Sequence, residues 1–194
     1  MRLMAAGPSV PPALSQYMET RGDAPWVPTP EEVVDTMLRL ARVGVKDVVY
    51  DLGSGDGRIV IAAAKRFGAR GVGIEIEPEL VKEAREAAKA AGVAGRVKFI
   101  EQDLFKADIS RATVVTLYLF TKMNERLKPR LLRELKPGTR VVAYQFNGMG
   151  DWKPQQVVTS HPYPVFFWVV PDKVSEPAAG RLSGAPSVSL SAPR

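Results

Sequence analysis

Apolar positions along this chain alternate between two periods. Val33, Val34, Met37, Leu38 and Ala41 recur at helical spacing. Thr29-Pro30-Glu31-Glu32 supplies the start of that helix, with Thr29 as N-cap, Pro30 at the first helical position and acids in the first turn. The run 46–51 then reads as a strand. Ile59, Ala62, Ala63 and Phe67 return to the helical period, and 70–76 reads as a second strand. A helix over 79–91, ended by Gly92, leads to a third strand near 96–101. The segment 113–119 is nearly all apolar or β-branched, as a strand buried on both faces should be. A basic helix follows to about Leu135, where Pro137-Gly138 closes it. Strand character returns over 140–146, and 156–159 with 165–170 reads as a final hairpin.

This order predicts an α/β fold. Regular βα alternation implies a Rossmann-like, doubly wound, mostly parallel seven-stranded sheet with helices on both faces and a C-terminal antiparallel hairpin. Residues 1–27, rich in Pro, Gly and small residues, read as an N-terminal arm, 28–170 as one domain, and 171–194 as a loosely held tail.

Chemistry concentrates where the predicted strands end. Val48-Val49-Tyr50-Asp51 runs into Leu52-Gly53-Ser54-Gly55-Asp56-Gly57-Arg58, a turn with Gly at alternate positions. Such a turn lets the backbone approach a ligand closely. A dinucleotide-binding turn would carry its third Gly at position 58, which here is Arg. Glu75 ends the second strand 24 positions after Asp51, near the offset of roughly 20 residues at which a βαβ unit sets an acid on ribose hydroxyls. The third strand runs into Gln102-Asp103-Leu104, and the fourth into Tyr118. Each has a plainer alternative: a solvated carboxylate at Glu75, a loop-start Asp at Asp103, and a core aromatic at Tyr118.

The spelling Asp51-x-Gly53-x-Gly55-x-Gly57 resembles the first motif of the class I, seven-strand S-adenosylmethionine-dependent methyltransferases. The resemblance implies a cofactor site built from Asp51, Gly53, Ser54, Gly55, Gly57, Glu75 and Ile76, with Gln102, Asp103 and Leu104 beside the adenine. It implies S-adenosyl-L-methionine as cofactor, S-adenosyl-L-homocysteine as product, and no metal. Trp26-Val27-Pro28-Thr29-Pro30 and Tyr118-Leu119-Phe120-Thr121-Lys122-Met123-Asn124 narrow the likeness over roughly 25–170. Together they are similar to protein-lysine methyltransferases: broad-specificity archaeal enzymes and mitochondrial enzymes acting on the ATP synthase c-subunit and the adenine nucleotide translocase. That likeness implies that Trp26, Pro28 and Thr29 fold over the cofactor, that Tyr118 touches it, and that Tyr118 and Asn124 serve the acceptor. One departure is Thr121, where the family pattern commonly has Pro. Val27-Pro28-Thr29-Pro30 also reads as a stiff helix entrance, Asn124 as a hydrogen-bonding residue at a helix start, and Trp152 as lining the cleft or packing a loop.

Composition removes some alternatives. There is no Cys, which excludes disulfides and thiolate nucleophiles, and a single His, His161. No Gly-x-Ser-x-Gly elbow occurs, and no apolar run approaches the ~20 residues of a membrane span. Met1 to Pro8 breaks too early for a signal peptide, so the expectation is a cytoplasmic protein. The net charge of +6 gathers in the helix after the fourth strand, at Lys122, Arg126, Lys128, Arg130, Arg133 and Lys136. A solvated helix face accounts for it better than nucleic-acid binding, since no aromatic residues interleave the stripe. The expected partner is a protein presenting lysine. A small-molecule or nucleic-acid methyltransferase with the same cofactor half, and a non-catalytic cofactor-binding module, stay open beside it.

Overall fold

The computed structural model describes residues 27–172. Its elements are α1 (Glu31–Leu40), β1 (Val48–Leu52), α2 (Arg58–Phe67), β2 (Arg70–Glu75), α3 (Pro78–Ala90), β3 (Val97–Glu101), β4 (Val114–Leu117), α4 (Thr121–Glu134), β5 (Arg140–Tyr144), β6 (Gln156–Val158) and β7 (Val165–Val169). The seven strands form one sheet in the order β3-β2-β1-β4-β5-β7-β6. The first five are mutually parallel, and β7 runs antiparallel to both β5 and β6. The predicted mixed sheet is therefore present, C-terminal hairpin included.

Alternating strand residues divide between two cores. Val49, Val114 and Val142 face α1, α2 and α3. Their neighbours Tyr50, Val115 and Val141 face α4, through Leu127 and Leu131, and the loop carrying Ile109. This two-sided burial explains why β1, β4 and β5 read as near-continuous apolar runs. Among the described residues no helix is long and apolar enough to cross a membrane.

A polar rivet closes the amino ends of the strands, away from the glycine turn. Asp47 accepts hydrogen bonds from Thr113 Oγ1 at 2.7 Å and the Gly44 amide at 2.8 Å, and it pairs with Arg140. Burial works to raise the Asp47 pKa, but these partners outweigh it and hold the carboxyl below its usual range. Arg140 Nη1 also donates to the Ala41 and Arg42 carbonyls, so the rivet ties the end of α1 to the start of the sheet.

Several boundaries shift from expectation, β4 ending at Leu117 among them, and two shifts have a clear backbone cause. Helix α1 begins at Glu31, and Pro30 occupies the N-cap position with extended backbone and no side-chain cap. Pro30 itself has ψ 145°, outside the helical region, so the helix starts one residue later and Thr29 lies too far out to cap. Strand β5 ends at Tyr144 because Gln145 turns into the left-handed region, at φ 65°.

Helix α2 and the sheet approach closely at Gly57, which has φ 78° and sits where a Cβ would lie 2.5 Å from the Phe99 ring and 3.0 Å from Ala84. Gly57→Ala should therefore cost about 3 kcal/mol, left-handed strain and overpacking together. Thermal or urea unfolding would measure this. Adding Phe99→Leu should recover the packing share only.

Candidate functional site

A cavity of about 560 Å³ opens beyond the carboxyl ends of β1, β2, β3 and β4, the side on which open parallel sheets bind ligands. Two acids form its floor. Glu75, 8% exposed, accepts the Gly55 amide on Oε2 at 2.8 Å, and the Ile76 and Glu77 amides on Oε1 at 2.8 and 3.1 Å. A carboxylate offers about four acceptor sites, so the expectation that Glu75 takes two ribose hydroxyls narrows to the site left on Oε2.

Asp51 lies deeper. Thr116 Oγ1 donates to its Oδ1 at 2.7 Å. Burial pushes its pKa up to about 7; the Thr116 bond opposes this, while the charges of Glu75 and Asp56 add to it. An acid held that high is poised to ionise against a cation.

Between these acids the glycine turn doubles back. The Gly53 and Ser54 amides both donate to the Ile74 carbonyl at 2.9 Å, and Gly53, Gly55 and Gly57 all have left-handed backbone. Gly53 and Ser54 line the cavity, whereas Gly55 and Gly57 shape the turn beneath it. The Ser54 hydroxyl is buried without a hydrogen-bond partner. Ile76 is 61% exposed on the cavity wall, an apolar face suited to one side of a planar base. Gln102, Asp103 and Leu104 line the same end, where Asp103 Oδ1 accepts the Phe105 amide at 2.9 Å. Acid, exposed apolar face and glycine turn together fit a nucleoside carrying a cationic tail.

Pro28 and Thr29 form the opposite wall; Trp26 lies outside the described residues. Arg58 joins this wall to the turn. Its Nη1 donates to the Thr29 carbonyl at 2.9 Å, while Nε and Nη2 grip the Asp56 carboxylate at 3.0 and 2.6 Å.

At the far end Tyr118 borders the cavity and opens an aromatic cluster, with Tyr144 at 4.9 Å and Phe146 at 6.3 Å between ring centroids. Its hydroxyl donates to Gln145 Oε1 at 3.0 Å. Burial, helped by Tyr144 and Tyr163, pushes its pKa up to about 12, so it stays a neutral phenol.

Asn124 does not join this group. It is fully buried, and its Nδ2 donates to the Leu119, Phe146 and Asn147 carbonyls at 3.2, 2.9 and 3.3 Å. A side chain committed to three backbone groups holds the loop after β5 against α4, which corrects its expected role toward the acceptor. Trp152 likewise packs on Trp168 rather than lining the cavity. Much of the basic helix is locally paired: Arg130 with Glu134, Lys128 with Asp151. Sequence reasoning missed Arg58, Phe105 and Arg126 as lining residues. Arg58 stood in plain view where a third Gly was sought. Nothing in the sequence foretold that the Arg126 guanidinium lies 3.8 Å over the Phe105 ring.

A sheet of this order with a glycine turn and strand-end acids around one cavity defines the Rossmann-like methyltransferase class. The ANTKMT methyltransferase domain matches residues 51–156, more than half of the chain. Over 135 residues the chain is 52% identical to a protein-lysine N-methyltransferase of Saccharolobus islandicus (strain REY15A), covering 69% of this chain and 83% of that protein. It is 38% identical over 152 residues to the human lysine N-methyltransferase of the ATP synthase c-subunit, covering 78% of this chain but only 62% of the human protein. A protein from Salinibacter ruber, described as an RNA methyltransferase and crystallised with S-adenosyl-L-homocysteine, superposes with a TM-score of 0.75 at 57% identity. That match covers 77% of this chain and 97% of the other. The chain belongs to the ANTKMT methyltransferase family.

Asp51 gives a pH test of the site. Its folded-state pKa of about 7 lies above the ordinary 3.8. The stability it contributes is thus complete below the ordinary value and lost as pH rises through about 7. Asp51→Asn should therefore gain on the wild type in melting temperature between pH 5 and pH 8, as scanning calorimetry would show. A difference that does not change with pH would contradict this.

Proposed function

We propose that this protein transfers a methyl group from S-adenosyl-L-methionine to the ε-amine of a lysine in a protein substrate. The observation that carries the proposal is a single cavity joining a nucleoside-shaped half, Asp51, Glu75, Ile76 and Asp103, to an aromatic end at Tyr118. The Saccharolobus relative, a protein-lysine N-methyltransferase by name, supports lysine as the acceptor. The cytoplasm is the proposed compartment, in keeping with a chain that has no Cys.

When bound, the cofactor supplies an electrophilic methyl group on a positively charged sulfur. The residues of this chain supply position. Glu75 and Ile76 hold the nucleoside, Asp103 accepts from its base, and Asp51 takes the ammonium of the amino-acid tail. A lysine must arrive neutral, and deprotonating a free one at pH 7 costs about 4.6 kcal/mol. Burial at the Tyr118 end lowers that cost by disfavouring the charged form. The neutral Tyr118 ring lines the path of the amine and tolerates its cationic products through cation–π attraction. With its pKa at about 12 and its proton donated to Gln145, Tyr118 steers the amine and does not remove its proton.

RNA is the second reading, and the Salinibacter structure, described as an RNA methyltransferase, is what favours it. Incubating the protein with labelled cofactor and a whole-cell lysate separates the two. Label should resist nuclease, vanish with protease, and map by mass spectrometry to lysine Nε. Label released by nuclease would transfer the proposal to RNA.

A further inference from the structure

We propose that Arg58 is a positioning residue that latches the segment before α1 over the bound cofactor and so sets how long the cofactor stays. The inference rests on the methyltransferase reading above. Among the described residues, the bond from Arg58 Nη1 to the Thr29 carbonyl is the one hydrogen bond that ties 27–29 to the rest of the protein. Val27, Pro28 and Thr29 nevertheless form one wall of the cavity. Pro30 has no N–H, and α1 has no side-chain cap, so the helix start adds no hydrogen bond to this segment, which is otherwise held by the packing of Thr29, 5% exposed.

The other end of the latch is rigid. Asp56 Oδ1 accepts the Arg58 backbone amide at 3.2 Å, and the two carboxylate oxygens together hold Nε and Nη2. Asp56 follows Gly55, whose amide is fixed on Glu75. A chain of direct bonds thus runs from Glu75 on the floor, through the glycine turn and Arg58, to the outer wall. Only a planar guanidinium grips a carboxylate edge on one side and reaches a carbonyl on the other. A lysine ammonium gathers its three donors on one atom and cannot span the carboxylate and the carbonyl as the fork does. The Arg58 and Asp56 charges cancel locally, so the pair acts on the wall rather than by attracting a charged ligand.

The test compares wild type with Arg58→Lys and Arg58→Met. It measures the release rate of S-adenosyl-L-homocysteine by stopped flow, and amide hydrogen exchange with and without that ligand. Both variants should release it about ten- to a hundredfold faster, the worth of one charge-assisted hydrogen bond. Exchange should rise at residues 27–34 and stay at wild-type levels in the strands. Should Arg58→Met fail to fold, Arg58→Lys, which keeps the charge beside Asp56, carries the test. Wild-type release rates in Arg58→Lys would overturn the latch, as would faster release with exchange raised throughout the sheet. A wild-type protein that binds no S-adenosyl-L-homocysteine would overturn the methyltransferase reading itself, and the latch with it.

Discussion

Three backbone N–H groups converge on the Glu75 carboxylate, and the geometry of the site depends on that convergence. One comes from Gly55 in the turn after β1 and two from the turn after β2. Neighbouring parallel strands are thereby locked together at their carboxyl ends, where the ladder between them has stopped. Without such an acceptor, the buried Gly55 amide would go unpaired at a cost of about 1–3 kcal/mol. Glu75 thus both shapes the floor of the cavity and presents its remaining acceptor site to whatever enters.

The electrostatics of the cavity follow from the same packing. Asp51, Asp56 and Glu75 lie close enough to raise the proton affinity of Asp51. Arg58 pairs with Asp56, while among the described residues Asp51 has only the Thr116 hydroxyl as a side-chain hydrogen-bond partner. The free protein therefore keeps an acid at the bottom of the site that a cationic ligand would ionise. Stability is given up there, as is common at functional sites. Gln145, left-handed and bonded to Tyr118, is the corresponding strained position at the Tyr118 end.

Much of this was legible in the sequence, and the reasons are physical. Strands buried on both faces leave unbroken apolar runs, so β1, β4 and β5 could be located from Val and Leu alone. Asp51, Glu75 and Asp103 were legible because a βα unit puts its strand ends on one edge of the sheet, and all three line the cavity. Properties that depend on contacts between distant segments were hidden. Asn124 has the side chain of a functional residue, yet its Nδ2 is spent on carbonyls 5, 22 and 23 positions away. Arg58 reaches a carbonyl 29 positions earlier in the chain, and no local pattern records that reach. The absent N-cap at Thr29 belongs with these, since Pro30 decides it by backbone angle rather than by side-chain type.

The most direct measurement is a calorimetric titration of S-adenosyl-L-homocysteine into wild type and Glu75→Gln, with the melting temperature of each. An amide in place of the carboxylate keeps one acceptor oxygen but turns an N–H donor toward donors. The account predicts that wild type binds, and that Glu75→Gln both melts lower and binds weaker by about 2 kcal/mol or more. Wild-type affinity and stability in Glu75→Gln would contradict it.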